Sequence, residues 1–472
     1  MNTPTHFEAA YETFLRNFPG FQSTRSLDTL RNREYARLDD GNHTYLDYTG
    51  GGLYAMSQIR AHHAILADSV FGNPHSLNPT SMATTRLVEQ ARQYVAHYFN
   101  AAPEEYVVIF TPNASAALKL VGEAYPFEPG DHYLLTFDNH NSVNGIREFA
   151  RGRGATTTYV PVELPDMRVD EVQLLDSLES VRPGGHHLFA YPAQSNFSGV
   201  QHSLNWIAQA QARGWNVLLD AAAFVATNRL DLSRWHPDFV PLSFYKMFGY
   251  PTGVGCLLAR RVTLARLHRP WFAGGTITVA SVQGDRYYLA EGEAAFEDGT
   301  PNYLILPAIE IGLRHLEAVG LEMIHERVHC LTGWLLDNLL TLKHTNDQPL
   351  VRLYGPTGMK QRGGTLTMNF YRADGTLIDH RVIERQANQA NISLRTGCFC
   401  NPGGGEIALG LSAGELAACF RQPTHQDRLT IDDFRLCIDG KGSGAVRVSL
   451  GLVSNFADVH RFVQFAQGLL NQ

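Results

Sequence analysis

The chain has 472 residues, 39 Lys and Arg against 46 Asp and Glu, a formal charge of −7, and 44% apolar against 18% charged residues. This balance excludes a disordered or fibrous chain and leaves room for about two to three domains. The mild, dispersed acidity argues against nucleic acid as a partner.

Residues 1–20 predict an amphipathic helix ending near Pro19-Gly20, without the basic start and continuous apolar run of a signal peptide. Six cysteines without regular spacing do not make a disulfide framework, and they predict a thiol-reduced, cytoplasmic protein. Short apolar runs then alternate with helix-period segments. Strands are expected over 106–110, 132–137, 156–160, 187–191, 215–219, 239–244 and 254–259. Helices are expected over 115–124, 142–151, 169–180 and 204–213. The runs 217–219 and 221–226 are broken by Asp220 and fall far short of the ~20 residues of a membrane span, so no membrane partner is expected.

Strand alternating with helix implies an α/β fold with a mostly parallel sheet covered on both faces. In such sheets ligands bind beyond the carboxyl ends of the strands. Polar residues collect at those ends: Asn113 and Ser115, His140, Ser195 and Asn196, Asp220, then Lys246. From about residue 301 the pattern shifts to long helices (304–319, 323–342) and strands at 365–370 and 445–450. This predicts an N-terminal segment over 1–44, a large domain over 45–300 and a small α+β domain over 301–472.

The sharpest motif is SFYKMFGYPTGVGCLLAR, residues 243–260. It sets one lysine in an aromatic, glycine-bounded loop between two strands. An apolar setting disfavours the ammonium form, so Lys246 can form an imine with a carbonyl. A lone lysine at a strand end more often reaches out to water. Asp220 alters that balance, because a carboxylate closing the apolar run NVLLD is costly if unpaired. Pyridoxal 5′-phosphate needs this pair: a lysine for its aldehyde and a carboxylate for its pyridine nitrogen. Asn113, Ala114 and Ser115 open an expected helix, whose free N–H groups suit a phosphate. His140 could stack on the ring, and Asn196 could bond its hydroxyl.

Two further motifs carry chemistry. RTGCFCNPGG (395–404) places Cys398 and Cys400 in a loop bounded by Gly and Pro, with Arg395 placed to favour a thiolate. His325-Glu326-Arg327-Val328-His329 spells H-E-x-x-H, whose histidines at i and i+4 could bind zinc with Glu326 as base. No downstream third ligand follows in a known pattern, so a zinc hydrolase is the remote alternative and no metal is expected. The glycines of DGKGSG (439–444) are expected to form a turn.

The chain resembles class V pyridoxal-phosphate enzymes (fold type I), specifically the cysteine desulfurase-like domain of molybdenum cofactor sulfurases. The resemblance runs through YLDYTGGGLY (45–54), FGNPHS (71–76), IFTPNASAALKLV (109–121), DNHNSVNGIRE (138–148), YPAQSNFSG (191–199), LLDAAAFVAT (218–227), the Lys246 loop, FEDGT (296–300), RTGCFCNPG (395–403) and VRVSLG (446–451). It implies that Lys246 is the Schiff-base lysine, Asp220 its ring partner, His140 the stacked residue and Asn196 the neighbour of the ring hydroxyl. Ser243, with Asn113, Ala114 and Ser115, matches the phosphate contacts. Thr300 matches a phosphate contact supplied across a homodimer. Arg447 matches the arginine that takes the amino-acid carboxylate, and Cys400 the cysteine that becomes a persulfide. Tyr245, beside the cofactor, and Ala223 stand where simple bacterial desulfurases have His and often Gln. The end of the chain at residue 472 leads to the expectation that no C-terminal cofactor-binding domain follows. The implied substrate is cysteine or an S-substituted cysteine, with a sulfur acceptor as partner. β-Elimination or decarboxylative deamination of an S-conjugate is the alternative.

Overall fold

The apolar runs between residues 106 and 260 become neighbouring strands of one sheet. The computed structural model describes residues 6–74, 76–179, 181–182, 184–421, 429–430, 433–434, 437 and 444–472. The strands are β1 (Tyr106–Thr111), β2 (His132–Thr136), β3 (Thr156–Val160), β4 (His187–Pro192), β5 (Trp215–Asp220), β6 (Phe239–Ser243) and β7 (Gly255–Arg260). Their order across the sheet is β1-β7-β6-β5-β4-β2-β3. Six run parallel, while β7 is antiparallel to both its neighbours. The physical reason lies in the link from Ser243 to Gly255, which is too short for a parallel crossover. The chain must turn straight back, and that turn carries Lys246. Strands β4 and β6 are buried throughout, as a sheet covered on both faces requires.

The expected helix over 142–151 is two helices, Asn141–Asn144 and Ile146–Gly152, meeting at Gly145. The long helices begin and end at local signals: Pro307 opens Pro307–Val319, and Gly320, at φ +89°, separates it from Leu321–Leu339. A hairpin of Ile277–Ser281 and Arg286–Leu289 was not expected from the pattern. It is almost wholly exposed, so it carries no buried alternation to read.

A second sheet is antiparallel, with β8 (Val351–Tyr354), β9 (Thr365–Tyr371), β10 (Arg395–Gly397) and β11 (Ala445–Ser449) in the order β8-β9-β11-β10. The N-terminal helices pack here rather than on the large sheet. Arg31 bonds Asp458 at 2.5 Å and the Val453 carbonyl at 2.8 Å. The buried Arg327 bonds Asp28 at 2.6 Å and the Thr24 carbonyl at 2.8 Å.

Among the described residues no helix is long and apolar enough to cross a membrane. The thiol-reduced expectation needs one correction: Cys419 and Cys437 are bonded, with their Cα atoms 5.5 Å apart. Their separation of 18 residues formed no spacing signal. The expected turn at 439–444 falls, but for its last glycine, outside the described residues.

Candidate active site

Beyond the carboxyl ends of the parallel strands lies a cavity of about 360 Å³, bounded by Asn113, Ala114, Ser115, His140, Asp220, Ser243, Tyr245 and Lys246. That size lies within the usual range for a small-molecule site. Asn113 caps the helix Ala114–Ala124, its Oδ1 accepting from the Ala116 N–H at 2.9 Å. The Ala114 N–H donates to Ser243 Oγ at 2.9 Å, and the Ser115 and Ser142 hydroxyls lie 2.6 Å apart. The strand that closes this wall must pass close by. A Cβ on Gly255 would lie 2.3 Å from the Leu242 oxygen and 2.8 Å from Asn113 Cα, so only glycine fits there.

Lys246 sits in the five-residue helix Phe244–Phe248, ended by Gly249 at φ +79°. Burial pushes its amine below the ordinary value of 10.5, and Asp220 works in the opposite direction. Asp220 closes β5 and is 9% exposed, with Oδ1 accepting from the Ala222 N–H at 3.0 Å. Burial pushes the Tyr245 phenol up; Arg395 and Cys400 are both near enough to act on it.

His140 caps its short helix, with Nδ1 accepting from the Ser142 N–H at 3.1 Å. The neutral ring therefore carries its proton on Nε2. Burial holds the imidazole below the ordinary 6.5, with Asp220 pulling it up and Lys246 pushing it down. The folded chain thus binds fewer protons here than the unfolded one. This contribution to stability is complete above about pH 6.5 and is lost as the pH falls through the depressed folded value. Urea unfolding of His140→Gln followed from about pH 7 to 5 should show a shallower acid-side loss than the wild type. An unchanged slope would show that His140 does not titrate on unfolding.

On the small-domain side, Arg395 and Arg447 are direct partners on β10 and β11. Like charges so placed repel, and Asp47 resolves this by bonding both. Its Oδ2 accepts from Arg395 Nε at 3.0 Å, and its Oδ1 from Arg447 Nη2 at 3.0 Å. Arg447 is 3% exposed, donates through Nη1 to the Asn196 carbonyl at 3.0 Å, and keeps Nε buried without a partner. Its guanidinium lies 4.7 Å from the Phe399 ring. Cys398 and Cys400 are free and exposed. The Cys400 carbonyl accepts from the Asn141 N–H at 2.7 Å, next to His140. Cys400 is near enough to Lys246 and Arg447 to act on both electrostatically.

Asn196, Thr300 and the histidines of the H-E-x-x-H motif lie outside the lining of this cavity. The Asn196 side chain is turned to the cysteine loop: Nδ2 donates to the Phe399 carbonyl at 2.8 Å, and Oδ1 accepts from Asn401 at 2.9 Å. Thr300 borders a neighbouring cavity of about 440 Å³ that shares Pro112's and Gly253's wall with the first. His325 and His329 do share a helix face, with rings 6.3 Å apart. However, Glu326 accepts from the Cys330 thiol at 3.3 Å, and His325 faces the Thr227 carbonyl at 3.3 Å. Among the described residues no group of three or more His, Cys, Asp or Glu is placed to hold a metal ion. The zinc alternative therefore lacks a third ligand among the described residues. Asp47 and Asn401 were not singled out beforehand. Both lie inside quoted motifs, YLDYTGGGLY and RTGCFCNPG, but their partners are hundreds of residues away.

The donor set fits pyridoxal phosphate. Helix N–H groups with Ser243 suit the phosphate, the buried Asp220 suits a pyridinium, and an amine of lowered basicity suits an aldehyde. The comparisons agree. Residues 44–462 match the model of the aminotransferase class-V family. The molybdenum cofactor sulfurase of Solanum lycopersicum is 38% identical over 98% of this chain and 60% of its own length. That of Bos taurus is 38% identical over 93% of this chain and 51% of its own. The chain thus spans half to three-fifths of these relatives. The apo cysteine desulfurase of Thermococcus onnurineus NA1 superposes with a TM-score of 0.75 at 23% identity, over 94% of this chain and 98% of that one. The chain belongs to the aminotransferase class-V family. Its fold is that of the cysteine desulfurases, and pyridoxal 5′-phosphate is the cofactor of the family.

Proposed function

We propose that the enzyme moves the sulfur of free cysteine onto Cys400 and releases alanine. Lys246 and Asp220 hold the cofactor, His140 covers its ring and Asn196 lies by its hydroxyl. Asn113, Ala114, Ser115, Ser243 and Tyr245 surround its phosphate end. Bound, the cofactor supplies a carbonyl for the substrate amine and a ring that accepts electron density from Cα. Arg447 takes the substrate carboxylate. Lys246, once its amine is free, moves the Cα proton. The Cys400 thiolate then attacks the substrate sulfur. An S–S bond forms, the Cβ–S bond breaks, and the carbon left with the electron pair takes a proton. Cysteine and one thiol become alanine and one persulfide.

The observation that carries this reading is the placement of Cys400, exposed yet pinned by its carbonyl beside His140. Product analysis tests it. The wild type should form alanine in step with enzyme-bound persulfide, and Cys400→Ala should form none. Turnover of an S-alkyl cysteine to thiol and pyruvate, undiminished in Cys400→Ala, would replace the reading with C–S lysis.

The proposal includes a homodimer in which Thr300 of the partner subunit reaches the phosphate. Its support is the open cavity at Thr300 and the exposed apolar Val282 and Tyr288 of the hairpin. Sedimentation should give twice the chain mass; a monomer that retains cofactor would overturn it. A persulfide must be discharged, so the reading also includes a sulfur acceptor able to reach Cys400. It places the enzyme in the cytoplasm and divides the chain near residues 44 and 300.

A further inference from the structure

We propose that Asn401 is a positioning residue that holds Cys400 at the Lys246 cavity, needed for sulfur transfer but not for the chemistry at the substrate Cα. The inference rests on the reading of Cys400 as the sulfur carrier. Phe399 and Cys400 both occupy the left-handed region, at φ +56° and +55°. Neither residue type favours that conformation, so something outside the loop must hold it.

Asn401 does so from a fully buried position. Its Nδ2 donates to the Asp138 carbonyl at 2.7 Å and to Asn196 Oδ1 at 2.9 Å. Its Oδ1 accepts from the Gly404 N–H at 2.9 Å and caps the helix Pro402–Leu409. Asn196 extends the link by donating to the Phe399 carbonyl, and its own carbonyl accepts from Arg447. Asp138 and Asn141 lie in the turn that carries His140, and the Asn141 N–H donates to the Cys400 carbonyl. One amide thus joins the thiol loop, the His140 turn and the arginine's anchor. Asp138 is itself fixed by His202 at 2.9 Å. Burial pushes its carboxyl up, but His202, with the Thr136 and Ser195 hydroxyls, holds it below the ordinary range.

The clamp and the cap are separable. Asn401→Ser keeps a capping oxygen but loses both amide hydrogens. Asn401→Asp also keeps the cap, and turns a carboxylate oxygen toward the Asp138 and Asn196 oxygens. Both variants are compared with the wild type as holoenzyme. Persulfide formed on Cys400 at saturating cysteine should slow by about ten- to a hundred-fold, while exchange of the cysteine Cα proton in D2O under the same conditions stays within about two-fold. Persulfide formation at the wild-type rate in both variants would overturn the proposal. So would equal loss of proton exchange and persulfide, which would make Asn401 a residue of the fold alone. Alanine formation that survives Cys400→Ala would remove the underlying reading instead, and that control separates the two failures.

Discussion

Lys246→Ala should give a folded chain that no longer retains yellow cofactor through gel filtration. Alanine formation should fall by about 10²–10⁴-fold, the usual contribution of a positioned proton-transfer group. The argument starts from burial. The amine is buried, on a short helix whose Phe244, Met247 and Phe248 are buried too, and desolvation weakens its hold on a proton. Less of it is charged at a given pH than for an exposed lysine, so cofactor capture by the apoenzyme should rise with a midpoint below 10.5. The folded chain binds fewer protons at this site than the unfolded one, so this group's contribution to stability is present above the ordinary value and lost as the pH falls through the depressed one. Asp220 opposes the shift, so Asp220→Asn should move the capture midpoint lower still. Retention of covalent cofactor by Lys246→Ala, shown by intact mass, would refute the assignment. An upward midpoint in Asp220→Asn would refute the pairing.

Arg31→Met should cost about 3–5 kcal/mol of stability, the usual result of removing one partner from a buried ion pair. Arg31 and Asp458 have side chains only 4% and 5% exposed and meet at 2.5 Å. Truncation leaves a buried carboxylate facing apolar surface, and the Val453 carbonyl loses its donor. The pair also ties the N-terminal helices to the helix Phe456–Gln467, so the loss should spread to both ends of the chain. Asp39 is the internal control. It bonds the same guanidinium, but its side chain is 48% exposed, so Asp39→Asn should cost no more than about 1 kcal/mol. Replacing both Arg31 and Asp458 by apolar residues should recover most of the loss, because no uncompensated charge remains. Urea denaturation of the three variants reads these differences. Equal losses for Arg31→Met and Asp39→Asn would show that burial does not set the value of the pair.

Much of the candidate site was legible because it is written locally. A parallel sheet places its functional residues at strand ends, and each end is marked by a polar residue after an apolar run. Lys246, Asp220, His140 and the turn at Asn113 were found in that way, and the structure brings them to one cavity. The Lys246 loop was legible twice over, from its aromatic, glycine-bounded setting and from its neighbours. Strand direction was not: nothing in the residues of β7 says that it runs antiparallel, and only the short connection from Ser243 forces it.

Local pattern therefore establishes the alternation of elements, the chemistry at their ends and the family to which they belong. Hydrophobic period and residue type are local properties, and the physics that reads them acts over a few residues. The tertiary structure alone decided the partners. Asp47 bridges two arginines on adjacent strands, one 348 and the other 400 residues away. Asn196, expected by the cofactor ring, spends its amide on the cysteine loop, and Asn401 reaches back 263 residues to Asp138. Arg327, at the centre of an apparent zinc motif, is a buried anchor for Thr24 and Asp28. A hydrogen bond or ion pair forms wherever the fold brings two groups within about 3 Å. Sequence spacing carries no trace of such a meeting, so these residues acquire their roles only once the two sheets are packed together.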